Sequence, residues 1–290
     1  MYQDKWCWNN GSFVLRHEAT VSILDRGFLF GDGVYEVIPC YSGNPFMFKA
    51  HVHRLQSSLR EINLTLPVTE QELISICQEI VKKNGATQNQ YLYIQVTRGY
   101  DIERKHQFPD KINPNLIIWS YPWKKPTESL PLPVSLVSTQ DKRWDRCDIK
   151  SLNLLANVLD RQYASMHGAD EAIFIRNGFV QECSSSNFFL IANRKIVTSK
   201  KSPIILSGIT REFIFELAQI CSLEYLESDG VTYQELLDAD EIFISSSLRE
   251  ISYVQTIDGK NFPAPTSTSI TTKLLQTFRS LAINRCGYNI

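Results

Sequence analysis

Two residues in this chain have the chemistry of a carbonyl-dependent reaction. Lys150, in Asp148-Ile149-Lys150-Ser151-Leu152-Asn153, stands at the end of a short strand-like piece, where a helical pattern begins. An amine held at such a junction becomes nucleophilic once it is desolvated or set beside another cation, and it can then condense with an aldehyde. Glu182 follows on a second strand, ahead of Cys183-Ser184-Ser185-Ser186-Asn187. A carboxylate so held is the partner that a protonated pyridine nitrogen requires. An aldehyde on a pyridine ring describes pyridoxal 5′-phosphate. A lone Lys or Glu is otherwise most often a solvated surface charge, so the flanking residues have to decide.

A phosphate needs donors. Ser207-Gly208-Ile209-Thr210 opens a helix, and a helix start offers unbonded N–H groups and a partial positive charge to an anion. The other reading is a plain helix start. Arg54 lies on a helix face where it is either a charged clamp or a solvated side chain. Ser246 and Ser247, at the end of a strand, are either hydroxyl donors or an ordinary turn. Tyr35 is open to a core or a site role. Arg104 and His106, two apart in a polar loop, either hold a carboxylate or decorate a flexible charged segment.

The elements that must position these residues follow from periodicity. Strands are expected at 12–15, 34–40, 90–97 and 115–121, with Val34, Glu36 and Ile38 on one face of the second and Tyr35 and Val37 on the other. Helices are expected at 50–63, through Leu55, Leu59 and Ile62, and at 70–83, stopping near Gly85. Residues 99–113 form a polar loop of a length that usually serves function. Pro122, Pro126, Pro131 and Pro133 mark a linker, which divides the chain into domains at 1–121 and 134–290 with the linker at 122–133. The second half reads as strands at 134–138, 171–175, 187–192, 196–198 and 241–245. Its helices carry an inward stripe of Leu154, Leu155, Val158, Leu159 and Tyr163, then Phe213, Ile214 and Leu217, then a closing run at 270–285. The class is α+β in both halves.

Bulk properties narrow the function. At 290 residues two domains are expected. Thirty basic residues balance 31 acidic ones and occur at most in pairs, which speaks against a nucleic-acid partner. No apolar run approaches the ~20 residues of a membrane span, and Met1-Tyr2-Gln3-Asp4-Lys5-Trp6 lacks the basic and apolar regions of a signal peptide. Seven widely spaced cysteines read as reduced, mostly buried thiols of a cytoplasmic protein. His51 and His53, at i and i+2, point to different sides of a helix, so no metal is expected. Gly31-Asp32-Gly33 lacks the strand–helix frame of a dinucleotide fingerprint.

Taken in order, these motifs resemble one family. Asp25-Arg26-Gly27-Phe28-Leu29-Phe30-Gly31-Asp32-Gly33-Val34-Tyr35-Glu36 resembles the opening motif of the fold-type IV pyridoxal-phosphate enzymes, and the resemblance covers nearly the whole chain. It is closest to the D-amino-acid aminotransferases in four stretches: residues 93–99, His106-Gln107-Phe108-Pro109, residues 146–155, and Leu206-Ser207-Gly208-Ile209-Thr210-Arg211.

The resemblance implies a two-domain fold with pyridoxal phosphate at the domain interface. By position, Lys150 resembles the Schiff-base lysine and proton shuttle, and Glu182 the partner of the pyridine nitrogen. Arg54, Ile209, Thr210, Ser246 and Ser247 would hold the phosphate, and Leu206 would pack on the ring. Tyr35, Arg104 and His106 resemble the trap for the substrate α-carboxylate; in that family the Arg and His come from the other subunit, which implies a homodimer. The implied reaction moves an amino group between a D-amino acid, such as D-alanine or D-glutamate, and a 2-oxo acid. Branched-chain aminotransferases and aminodeoxychorismate lyases are the alternatives within the family. Cys183 stands where the D-enzyme pattern has glycine, which would narrow the backbone near the cofactor. Lys105 adds charge between the trap residues, and Leu248-Arg249 replaces a small hydroxyl-rich pair. These departures bear on the substrate rather than on the reaction.

Overall fold

The structure, a computed structural model, describes residues 5–288. It divides into two compact units. The first takes the described residues through Lys124, then Ile149–Asn153 and those from Ile283 onward; the second takes Lys125–Asp148 and Leu154–Ala282. The single linker expected at 122–133 does not describe this division, because the chain returns to the first unit twice. A strand also begins inside the expected linker, at Leu132. Proline at Pro133 is tolerated there because it lies near the start of the strand.

The first unit runs β1 (Trp6–Asn9), β2 (Ser12–Leu15), α1 (Arg26–Phe30), β3 (Gly33–Tyr41), β4 (Asn44–Pro45), α2 (Phe48–Glu61), α3 (Glu70–Gly85), β5 (Gln90–Thr97) and β6 (Asn115–Pro122). Its strands form one antiparallel sheet in the order β2-β1-β6-β5-β3-β4. Alternation in β3 buries Val34, Glu36 and Ile38 on one face, as their parity requires, and α2 and α3 cover that face. Phe48, Val52, Leu55 and Leu59 of α2 and Leu73, Cys77 and Ile80 of α3 pack there on Leu92, Ile94 and Ile118. A capping box, Thr69 with Glu72, starts α3.

The second unit runs β7 (Leu132–Gln140), α4 (Leu155–Met166), β8 (Glu171–Arg176), β9 (Phe179–Cys183), β10 (Asn187–Ala192), β11 (Lys195–Ser199) and α5 (Ile209–Ile220). It continues through β12 (Glu224–Ser228), β13 (Val231–Thr232), α6 (Tyr233–Leu237), β14 (Glu241–Ser246), β15 (Glu250–Ile257), β16 (Lys260–Asn261) and α7 (Ile270–Ala282). Its mixed sheet has the order β12-β11-β10-β14-β15-β7-β8-β9-β13, with β16 on β15. Phe213, Ile214 and Leu217 of α5 are buried as the periodicity predicts. The stripe of α4 is not. Leu155, Val158 and Leu159 are 72%, 59% and 62% exposed, and Ala164 is the buried residue of that helix, against Ala172 and Phe174 of β8. Among the described residues no helix is long and apolar enough to cross a membrane, and no disulfide forms; six of the seven cysteines are buried.

Candidate active site

In the first unit, the segment that carries Lys150 is held against β3. The early part of β3 pairs with β5 on one side, while β4 joins its other side only at Cys40 and Tyr41. Residues 149–153 take the vacant edge: Lys150 O accepts from Tyr35 N at 3.0 Å, Leu152 N donates to Gly33 O at 3.0 Å, and Ser151 bridges Val34. Lys150 therefore lies in an irregular segment clamped to a strand, not at the strand end its sequence suggests. Its own N–H donates to Ser58 Oγ at 3.1 Å. The ammonium sits 4.3 Å from the centre of the Tyr35 ring, a cation–π contact. That ring stacks on Tyr93, which stacks on Trp119, on the outward face of the sheet.

Beneath this platform lies a buried ionic group. On α2, His51, Arg54 and Ser58 recur at i, i+3 and i+7, so they share one side of the helix. Glu36, on the buried parity of β3, accepts a fork from Arg54 (Nε to Oε1 2.7 Å, Nη2 to Oε2 2.8 Å), and its Oε2 is 2.7 Å from His51 Nδ1. Glu36 and His51 are both fully buried. Burial by itself raises the Glu36 carboxyl, but the charge and hydrogen bonds of Arg54, and then of His51, outweigh it and hold the group well below the usual carboxylate range. Burial lowers the His51 imidazole, against the pull of Glu36, and the charges of Arg54 and Lys150 lower it further. Arg54 thus approaches any anion with its orientation fixed by Glu36.

The 99–113 loop brings Arg104 and His106 together at Phe30. The Arg104 guanidinium carbon lies 4.9 Å from the centre of that ring, and the His106 ring meets it edge-on at 5.3 Å. Both side chains are exposed. Lys105 pairs with Asp101 at 3.4 Å within the same loop.

In the second unit the buried carboxylate of Glu182 organises its surroundings. Arg143 Nη1 donates to Oε1 at 2.5 Å, Asn187 Nδ2 to Oε2 at 3.1 Å, and Leu206 N lies 3.2 Å from both oxygens. Arg143 is itself forked onto Asp141. Burial pushes the Glu182 carboxyl up; the charge and bond of Arg143 and the Leu206 N–H pull it back without overcoming that push. Asn187 also donates to Leu206 O at 3.0 Å. Its Oδ1 lies so close to Gly208 that a Cβ there would stand 2.3 Å away. Gly208 is the N-cap of α5 and supplies no side-chain bond, so the N–H groups of Ile209 and Thr210 open the helix uncapped by any side chain. Directly across the ladder from Asn187 stands Ser245, followed by Ser246 at the end of β14 and Ser247 in the turn to β15. Ser245 Oγ is buried without a hydrogen-bond partner.

The structure thus brings Lys150, Tyr35 and Arg54 together in one unit, and Glu182, Leu206, Ile209, Thr210, Ser246 and Ser247 onto neighbouring elements of the other. Leu206 meets Glu182 through its backbone N–H. The Cys183 side chain is buried in the core with Val134, Leu136 and Phe188, where burial pushes the thiol up. Arg249 donates to the buried Glu171 at 3.0 Å, and Glu171 also accepts from Ser184 Oγ, Ser185 N and Ser186 Oγ, so it ties down the serine run after Glu182. Sequence reasoning did not foresee that Glu36, His51, Ser58, Arg143 and Asn187 stand around the candidate residues and hold them. For Glu36 the signal was present, since a carboxylate on the apolar parity of a strand demands buried cationic partners.

The amino-transferase class IV family model matches residues 33–257. The chain is 42% identical over 275 residues to a D-alanine aminotransferase of Bacillus licheniformis, covering 93% of this chain and 96% of that one. It is 37% identical to a D-alanine aminotransferase of Listeria monocytogenes, with 96% of each covered. Among solved structures it is similar to the branched-chain amino acid aminotransferase of Escherichia coli, with a TM-score of 0.88 at 25% identity over 96% of this chain and 95% of that one. The branched-chain aminotransferase of Thermoproteus uzoniensis gives 0.85 at 27% identity, over 97% and 95%.

Proposed function

Because the chain belongs to the class IV amino-transferases, whose cofactor is pyridoxal 5′-phosphate, we propose that it moves an amino group between a D-amino acid of the D-alanine or D-glutamate type and a 2-oxo acid. The likeness over nearly the full chain to proteins named D-alanine aminotransferase carries this reading. The likeness to the branched-chain enzymes is lower in identity.

The residues present fit the cofactor. Glu182 is a buried carboxylate whose proton affinity remains raised, so a pyridinium N–H supplies the additional positive partner its burial calls for. The start of α5 lacks a side-chain cap, and Ser245 Oγ, across the ladder from Asn187, lacks a partner; such donors suit a phosphate. Ile209 and Thr210 N–H, Ser246, Ser247 and Arg54 would hold the phosphate, and Leu206 would lie against the ring. When bound, the cofactor supplies an electrophilic carbonyl and a ring that takes up electrons released at the substrate α-carbon.

The rest falls to the chain. Lys150 Nζ would hold the cofactor and carry the α-proton of the amino acid, oriented by the Ser58 bond to its own N–H. Glu182, locked by Arg143 and Asn187, would keep its charge directed at the ring nitrogen. Tyr35, Arg104 and His106 would hold the α-carboxylate, and the side on which they hold it would set the enantiomer. The cytoplasmic enzyme would act as a homodimer in which Arg104 and His106 serve the other subunit's site. The exposed apolar face of α4 supports a second copy, since leaving Leu155, Val158 and Leu159 in water is unfavourable.

The test is turnover of D-alanine, L-leucine and aminodeoxychorismate by the purified holoenzyme, with 2-oxoglutarate where an acceptor is needed. D-alanine is expected to give pyruvate and glutamate. Turnover of L-leucine with none of D-alanine would refute the D-specific reading, and pyruvate from aminodeoxychorismate without an acceptor would make the protein a lyase.

A further inference from the structure

Arg26 is buried in the first unit, yet four of its N–H bonds are directed at named acceptors. Nε donates to Asp32 Oδ2 at 2.8 Å. Nη1 donates to Lys105 O at 2.7 Å and Gln107 O at 3.2 Å, and Nη2 to His106 O at 3.1 Å. Three consecutive carbonyls of the 99–113 loop therefore converge on one guanidinium. A planar fork with fixed donor directions suits that task, and an ammonium does not.

The guanidinium is itself braced. Asp32 also accepts a fork from the buried Arg98 (Nε to Oδ2 2.8 Å, Nη2 to Oδ1 2.9 Å), which also reaches Ile62 O at 2.7 Å and covers the Phe108 ring at 3.6 Å. Arg26 lies over Phe30, its guanidinium carbon 5.0 Å from the ring centre, and Phe30 is the ring on which Arg104 and His106 meet. The backbone adds to the anchor: Arg26 N donates to Gly99 O at 2.7 Å, where the loop begins.

We propose that Arg26 is the positioning residue of the carboxylate trap, fixing the backbone of residues 105–107 so that Arg104 and His106 present their cationic groups in one place. It acts through the loop and touches neither substrate nor cofactor. This rests on the carboxylate-holding role proposed above for Arg104 and His106. A long polar loop without such an anchor would lose conformational entropy each time it closed on a substrate, so the anchor lowers the cost of binding anything that carries the α-carboxylate. Amines without that carboxylate gain nothing from it.

The experiment compares the wild-type holoenzyme with Arg26→Lys and Arg104→Ala. Arg26→Lys keeps a positive charge facing Asp32 and removes the fork, so the fold is expected to persist, as checked by circular dichroism and pyridoxal-phosphate affinity. The readouts are KM and kcat for D-alanine, the rate of amino transfer from ethylamine, and tryptic cleavage within 99–113. For Arg26→Lys the D-alanine KM is expected to rise roughly tenfold with kcat and the ethylamine rate little changed, and cleavage in the loop is expected to accelerate. An unchanged D-alanine KM in Arg26→Lys, with a raised one in Arg104→Ala, would overturn the positioning role alone. Equal losses for D-alanine and ethylamine would also overturn it. An unchanged KM in Arg104→Ala would overturn the trap itself, and the inference with it.

Discussion

Arg143 and Glu182 form a nearly dry ion pair, Nη1 to Oε1 at 2.5 Å, with the side chains 5% and 6% exposed. Two features of the second unit meet in this contact. Asp141 forks Arg143 from one side, and Asn187 and the Leu206 N–H hold the carboxylate from the other. The pair is held rigidly, and in the role proposed for Glu182 the ring nitrogen of pyridoxal phosphate would be its further partner.

Arg143→Met should therefore damage more than stability. Removing one partner of a buried pair costs about 3–5 kcal/mol, and with the balancing charge gone burial would push the Glu182 carboxyl further up. A neutral Glu182 is a poor partner for a pyridinium. Thermal unfolding of the apoprotein should show the loss, and spectroscopic titration with pyridoxal phosphate should show weaker binding. Adding Glu182→Gln to Arg143→Met should recover part of the stability and none of the activity. Recovery of neither would place the damage at Asp141 instead.

Glu36 gives the protein an acid limit. Its carboxyl is held below the ordinary value of 4.5 by Arg54 and His51, so in acid the unfolded chain takes up a proton before the folded one does. The stability it contributes is complete above that ordinary value and is lost as pH falls through it toward the folded-state value. Urea midpoints of the wild type should fall between about pH 5 and about pH 3. Glu36→Gln should be less stable at neutral pH, because Arg54 and His51 lose their partner, and should show a shallower fall in acid. Parallel curves for the two proteins would remove Glu36 from the account.

Much of this was legible from one sequence where local pattern and burial agree. The parity of β3 put Glu36 on one face with Val34 and Ile38, which proves to be the buried one, and the spacing of Phe213, Ile214 and Leu217 named the buried face of α5. Local pattern is silent where the deciding contact is distant along the chain. Residues 149–153 look like a strand leading to a helix, yet their conformation is set by the open edge of β3, more than a hundred residues earlier. The α4 stripe has helical period, but a period does not say what covers it, and here Ala164 rather than Leu159 packs on β8. The strand β15 went unread because Val254 and Gln255 break the alternation that Ile251, Ser252 and Tyr253 begin. Arg26 and Arg143 gave no local sign of their partners, since a buried arginine is defined by acceptors brought in by other elements.

Cys183→Ala tests whether the departure at that position bears on substrate choice. The thiol is in the core with Val134 and Phe188, so trimming it should destabilise the protein by about 1 kcal/mol. The ratio of D-alanine to D-glutamate turnover should not move. A shift in that ratio at unchanged stability would return Cys183 to the substrate site.

Gly208 and Asn187 should prove strongly coupled. The Gly208 backbone has φ −69°, so alanine meets no conformational strain there; its difficulty is the Asn187 Oδ1 that would lie 2.3 Å from the new Cβ. Asn187 cannot yield without leaving Glu182 and Leu206 O, which it holds at 3.1 and 3.0 Å. Gly208→Ala is therefore expected to weaken pyridoxal-phosphate binding by displacing Asn187, although neither side chain carries charge. Asn187→Ala alone should weaken it by a similar amount, through a less firmly held Glu182. In the double variant the methyl group has room, so adding Gly208→Ala to Asn187→Ala should have little further effect. Residues in contact depart from additivity by about 0.5–3 kcal/mol, and a double-mutant cycle on the cofactor dissociation constant would measure it. Simple additivity of the two changes would mean that Gly208 serves the start of α5 independently of Asn187.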